Sequence, residues 1–214
     1  GWLLTGDGRC LLPSRAAACR QRHDMDRGAC VVTGTEMHGL ALESSAWVEL
    51  ESGLPVCKLR LRARSDTAAW LVLALRPYNP EGISFIHQVN LSSDRTAWLV
   101  DDTQRVTFSA AAARHHVSDY RHGDVYIHLE DLDDQTAGRC DVGMVTAAAL
   151  FPVKANEATE ITATIALAAT ASAPLVADAE AAERDGFTSI WVPQIPGDFD
   201  AFTMITLMGS ATRR

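Results

Sequence analysis

Two apolar runs separated by a turn-rich connection constrain this chain most. Trp70–Leu75 and Ile83–Leu91 flank Arg76-Pro77-Tyr78-Asn79-Pro80-Glu81-Gly82. Runs of this length, rich in β-branched and aromatic residues and closed by Pro, Asn and Gly, predict two buried strands joined by a connection. The connection is longer than a tight hairpin loop. Its two prolines fix φ twice and remove two backbone donors, so the link is expected to be rigid.

The remainder, up to Ala168, reads as further strands that could cover this pair. Trp2–Thr5 and Cys10–Leu12 flank Gly6-Asp7-Gly8-Arg9, where Asp-Gly is a short hairpin signal. Ser14–Arg27 is polar and reads as a short helix or a loop. Ala29–Thr33 and Leu40–Leu50 are strand candidates. Val56–Arg64 alternates, which puts Cys57, Leu59, Leu61 and Ala63 toward a core and Lys58, Arg60, Arg62 and Arg64 toward water. The basic row also fits phosphate binding, but alternation alone explains it, and a solvated strand face is the preferred reading. Ala97–Val100 and Arg105–Ser109 form a predicted hairpin about Asp101-Asp102-Thr103, and Ala110–Arg114 is ambiguous. Asp124–Leu129 alternates and reads as a strand, Glu130–Asp134 as an acidic loop, Cys140–Phe151 as a long strand, Pro152–Asn156 as a turn and Glu160–Ala168 as a last strand. About nine to eleven short strands between turn signals predict an antiparallel β-sandwich.

The pattern changes near Ala169. Ala-Thr-Ala-Ser-Ala-Pro (169–174) reads as a seam. Beyond it, Leu175–Asp185 has helical spacing, Gly186 can end that helix, Phe187–Val192 is a short apolar strand, and Phe199–Ser210 has helical spacing again. The expected organisation is a sandwich over 1–168, a seam over 169–174 and an α-β-α appendage over 175–214.

Bulk properties exclude several classes. The 214 residues carry 19 Lys and Arg against 27 Asp and Glu, a net charge of −8, which argues against general binding of nucleic acid or anionic membranes. No apolar run reaches membrane-spanning length. Cys10, Cys19, Cys30, Cys57 and Cys140 are odd in number, scattered and free of any C-x-x-C pair, so reduced thiols in a cytoplasmic protein are expected. The chain begins Gly1-Trp2-Leu3-Leu4 with no initiator Met and no secretory pattern, and ends at Arg213-Arg214. Asn90-Leu91-Ser92 matches a glycosylation sequon, relevant only to a secreted eukaryotic protein.

Candidate chemistry is sparse. His115, His116, His122 and His128 lie near Asp119, Asp124 and Glu130, a set of types that suits divalent ions. Their spacing fits no standard metal motif, and surface or loop positions are preferred, with His128 on a strand face opposite Val125 and Ile127. Glu81, Asp101, Asp102, Asp119, Asp124 and Glu130 could supply an acid/base pair for glycoside cleavage, which needs two carboxylates at a defined separation, but turn roles are preferred. Trp47, Trp70 and Trp98 could line a carbohydrate face, with core positions preferred. There is no Gly-rich phosphate loop, nucleophile elbow or informative Cys/His pair. No catalytic residue and no metal ligand is assigned.

Three stretches resemble the N-terminal β-sandwich of bacterial six-hairpin glycosidases of the glycogen-debranching, amylo-α-1,6-glucosidase-like kind. They are Leu73–Gly82 (LALRPYNPEG), Tyr120–Val125 (YRHGDV) and Cys140–Ala148 (CDVGMVTAA). The resemblance implies a non-catalytic module that packs on, or helps shape, a sugar-binding enzyme whose catalytic acids sit in a separate (α/α)6 barrel. The expected partners are a carbohydrate or that missing barrel. The sandwich face that meets such a barrel is expected to be apolar and to drive self-association. The tail is similar to the beginning of luciferase-like flavin- or F420-dependent oxidoreductases, on Ala179–Gln194 (AEAAERDGFTSIWVPQ) and on Asp200-Ala201 through Arg214. That resemblance implies a fragment of a TIM-type barrel, with Gln194 as the one polar residue bordering a pocket for FMN or F420. Forty residues cannot build such a barrel, so no cofactor is expected for this chain, and the whole reads as an incomplete or chimeric product. The alternative is a luciferase-like oxidoreductase completed by sequence not present here.

Overall fold

Alternating side chains on long strands dominate the architecture. The computed structural model describes residues 1–25, 30–79, 82–130, 134–167, 169–186 and 212. In chain order the strands are β1 (Trp2–Thr5), β2 (Cys10–Leu11), β3 (Cys19–Asp24), β4 (Cys30–Met37), β5 (Leu40–Glu51), β6 (Leu54–Ser65), β7 (Ala69–Leu75) and β8 (Tyr78–Asn79). Then come β9 (Gly82–Ile83), β10 (Gln88–Leu91), β11 (Ala97–Val100), β12 (Gln104–Phe108), β13 (Arg114–Ser118), β14 (Ala137–Arg139), β15 (Thr146–Val153) and β16 (Ala158–Ala166), followed by helix α1 (Ala169–Arg184).

Among the described residues the strands form two large sheets and a small ribbon. One sheet has the order β13-β15-β7-β1-β2, the other β14-β10-β11-β12-β16-β6-β5-β4-β3, and β8 pairs with β9 alone. Strand pairing is antiparallel, as in β5 with β6 (Leu42↔Ala63) and β15 with β7 (Ala149↔Leu73). The expectation of a mainly β, antiparallel sandwich is met. The main core lies between the sheets, with Leu3, Leu71 and Phe151 from one meeting Leu61, Trp98 and Phe108 from the other. Burying each such side chain contributes roughly 1.5–3 kcal/mol.

Strands β7 and β15 are apolar on both faces, which their continuous apolar runs predict. Leu71, Leu73, Ala147 and Phe151 face the main core. Val72, Ala148 and Leu150 face outward, where Trp2, Val125 and Leu129 cover them.

Several expectations need correction. The strands flanking residues 76–82 lie in different sheets, β7 in the five-stranded one and β10 in the nine-stranded one, so the connection carries the chain from sheet to sheet. Ile83 and Phe85 are exposed, and the second strand begins only at Gln88. The stretch Ser14–Arg27 begins in a 3-10 turn (Pro13–Arg15) and contains the edge strand β3, whose polar sequence hid it. Residues 124–129 do not form a strand: Val125–His128 is a 3-10 helix capped by Asp124, and Val125 and Leu129 bury together one turn apart. Cys140–Met144 forms a turn before β15, and Pro152 lies inside β15 opposite Trp70. Helix α1 starts at Ala169, within the stretch read as the seam. The expected strand 187–192, the expected helix 199–210 and Gln194 lie outside the described residues.

Candidate functional site

The described residues of the three stretches that carry the glycosidase-like resemblance fold into one corner. β7 and β15 pair side by side (Leu75↔Ala147, Ala74↔Ala148). The third stretch locks onto both. Asp124 Oδ2 accepts hydrogen bonds from Arg76 Nε (2.7 Å) and Nη2 (2.5 Å), and from the Tyr78 hydroxyl (2.8 Å). Its Oδ1 accepts from the Tyr126 amide at 2.9 Å and so caps the 3-10 helix. The Val125 amide donates to Thr146 Oγ1 at 2.9 Å. The Arg76 guanidinium stacks over the Tyr78 ring at 4.4 Å and lies 5.6 Å from the Trp2 ring. Both oxygens of Asp124 are therefore occupied, which suits positioning and not proton transfer.

Beside this lock lies a pocket of about 380 Å³, where edge strand β13 of one sheet meets edge strand β14 of the other. The strands approach closely at Gly138, where a Cβ would come within 2.2 Å of Val117 Cγ1. His116, Ser118, Asp119, His122, His128 and Arg139 present polar groups to the pocket. Asp119 Oδ1 accepts from His122 Nδ1 (2.7 Å) and from the amides of Arg121 (2.9 Å) and His122 (3.1 Å). Burial alone would raise the Asp119 pKa; these hydrogen bonds outweigh it and hold the carboxyl below its ordinary range. The Ser118 hydroxyl donates to the Gly123 carbonyl at 2.7 Å, and His128 Nε2 lies 3.0 Å from the His122 carbonyl. Tyr120 and Ile127, 70% and 64% exposed, stand on the same loop and 3-10 helix.

Two of the histidines are not surface residues. His115 and His116 lie on β13 at 0% and 3% exposure. They fit because the strand opposite is built of alanine: His115 faces Ala149 and His116 faces Ala148. His115 Nδ1 faces the Gln135 carbonyl at 2.5 Å, and its Nε2 accepts from Trp98 Nε1 at 2.7 Å, which fixes the Nδ1–H tautomer. Burial pushes its pKa down to about 4, against the Gln135 carbonyl, which favours the protonated ring. Its amide donates to Asp134, whose carboxylate is gripped by both Arg95 terminal nitrogens at 2.8 and 2.9 Å. His128 sits in the 3-10 helix, not on a strand face. Among the described residues, no group of three or more His, Cys, Asp or Glu is placed to hold a metal.

The remaining candidates separate. Asp101 Oδ1 accepts from the amides of His87 (2.8 Å) and Gln88 (2.7 Å), a structural clamp, and Glu130 is exposed. Glu81 lies outside the described residues, as does Gln194, the candidate for FMN or F420. Trp98 is core, 4.8 Å edge-to-face from Phe108. Trp47 and Trp70 are half-buried on different sheets, so the three do not form one face. The residue that sequence reasoning missed is Tyr120; its signal was an aromatic between Asp119 and Arg121, in a stretch too polar to bury it.

No family model matches the chain, and no curated protein matches it. Among solved structures it is similar to "Putative kojibiose phosphorylase from human microbiome", with a TM-score of 0.44 and 8% identity over 98% of this chain. The alignment covers 26% of that protein, so the present chain spans about a quarter of its length.

Proposed function

We propose that this chain is a non-catalytic, saccharide-binding β-sandwich module of a carbohydrate-active enzyme, working beside a catalytic domain of the glycogen-debranching-like kind. The observation that carries the reading is the exposed Tyr120 ring on the loop that also bears Asp119 and His122, two of the polar groups of the corner pocket. A sugar offers one apolar face to an aromatic ring and a fringe of hydroxyls to fixed donors and acceptors, which is the chemistry assembled here. The carboxylates at the corner are engaged in positioning, consistent with a module that binds without cleaving. His122, from one of the three glycosidase-like stretches, lines the pocket, and the other two brace its segment through Asp124 and Val125.

The test is a calorimetric titration of the purified chain with a malto-oligosaccharide, run in parallel with FMN and F420. Saturable heat with the sugar and none with either cofactor is the expected result. Tyr120→Ala is expected to weaken sugar binding about three- to tenfold. Micromolar binding of FMN or F420, or a silent sugar titration up to the sugar's solubility, overturns the reading.

A further inference from the structure

The outer face of the nine-stranded sheet carries a second concavity, a groove of about 1200 Å³ across β3, β4, β5 and β6. It lies on the side opposite the main core: Leu61 and Ala63 point inward from β6, while Arg62 and Arg64 are exposed. Register places one straight row across the groove: Arg62 opposite Glu43, Glu43 opposite Gly34, Gly34 opposite Arg20. Arg64 and Arg22 extend the two banks along β6 and β3. Three strand spacings set the banks about 14 Å apart. Between them Gly34 contributes no side chain, and a Cβ there would meet nothing within 4 Å.

We propose that this groove binds an acidic polysaccharide, the arginine banks holding its carboxylate or sulfate groups and Glu43 accepting hydrogen bonds from its hydroxyls. Four observations carry this. The chain is acidic overall, at −8, yet four of its 19 basic residues line this one groove. Among the described residues, Arg20, Arg62 and Arg64 have no ion-pair partner, so their planar donors are free for a bidentate anion. The groove exceeds what a single small ligand fills and is open, as a polymer segment needs. The acceptor Glu43 sits half-buried in the row between the banks. Trp47, an aromatic of this face, is covered by Arg60 at 5.7 Å and tied to Glu49 at 2.7 Å. Single-stranded nucleic acid, which needs open stacking platforms, is therefore disfavoured. This site is on a different face from the corner pocket and stands without it.

The test titrates the full chain at low salt with oligogalacturonate, dextran sulfate, neutral dextran and a single-stranded oligonucleotide. Oligogalacturonate or dextran sulfate is expected to bind, which separates carboxylate from sulfate recognition, while neutral dextran does not. Arg62→Gln with Arg64→Gln is expected to weaken that binding at least about tenfold. Gly34→Trp keeps every charge, fills the open floor, suits a strand and is expected to abolish binding with the thermal midpoint retained. Tyr120→Ala is expected to leave it unchanged, so failure here and failure of the corner reading are told apart. Absence of binding by both anionic glycans, binding indifferent to both groove variants, or tighter binding of the oligonucleotide overturns the proposal.

Discussion

Asp124 ties together segments that lie some fifty residues apart in sequence: it holds Arg76 and Tyr78 through one oxygen and caps its own 3-10 helix through the other. Asp124→Ala removes ion pair and cap together and is expected to cost about 2–3 kcal/mol in urea denaturation, against about 1 kcal/mol for Asp124→Asn, which keeps a capping oxygen. Equal losses for the two variants would mean that the charge, not the cap, matters. His115 makes a prediction in pH. Its folded pKa of about 4 lies below the ordinary value of 6.5. Above pH 6.5 neither state binds the proton and its stabilising contribution is complete. As pH falls through 6.5 the unfolded state takes up a proton that the folded state refuses. The contribution is then lost progressively until about pH 4, for a total on the order of 3 kcal/mol. Thermal midpoints measured from pH 7 to 4 should fall less steeply in His115→Phe than in the parent chain.

At the scale of elements, what the sequence made legible depended on whether local pattern and tertiary need agreed. On β6 they agreed: alternation from Leu59 to Ser65 sorted Leu61 and Ala63 inward and Arg62 and Arg64 outward. Asp7-Gly8 marked the first hairpin for the same reason. At 124–129 they disagreed. Val125, Ile127 and Leu129 alternate like a strand, but the outer face of β7 and β15 needed covering, and a capped 3-10 helix covers it with Val125 and Leu129 while Ile127 is left 64% exposed. Strand β3 carried no apolar signal because it is exposed almost throughout. The candidate site was half legible: its histidines and Asp119 are close in sequence, but the pocket comes from β13 packing beside β14, an approach of two sheet edges that no local pattern encodes. The β4–β5 turn offers a test at this scale. His38 and Gly39 both have positive φ, 51° and 78°, as a tight two-residue hairpin requires. A Cβ on Gly39 would also come within 2.2 Å of Asp66. Gly39→Ala is expected to destabilise by about 1–2 kcal/mol in urea, whereas Gly34→Ala, mid-strand with open space, should be neutral or stabilising.

For the whole molecule, the exposed large hydrophobics are unevenly spread. Among the described residues, Met25, Leu50 and Leu54 lie apart, while Tyr78, Ile83, Phe85, Tyr120, Ile127 and Val142 belong to the sheet-crossing arm, the 120–128 loop and the turn before β15. These segments touch: Tyr78 pairs with Ile83, Tyr78 bonds Asp124, and Phe85 packs on Gly143. On the proposed reading, this corner, Tyr120 apart, would also dock on the second domain. Sedimentation velocity at rising concentration is expected to show self-association of the isolated chain, reduced in Ile83→Asp and Ile127→Asp with thermal midpoints unchanged. A strictly monomeric parent chain would remove the docking role from this corner.

The long-range strand pairs carry a consequence for synthesis on the ribosome. β6 finds its outer neighbour only in β16, Leu61 opposite Ile161, one hundred residues later, and β7 waits similarly for β15. At ordinary elongation speeds that interval lasts roughly 5–20 s. Throughout it the nascent β3–β6 meander can form through local hairpins and β1 can pair with β7, yet the β6 border and the β15-side edge of β7 stay open to any other strand nearby. A crowded polysome therefore meets this chain at its most adhesive stage, and slow elongation between Leu75 and Thr146 would lengthen the exposure.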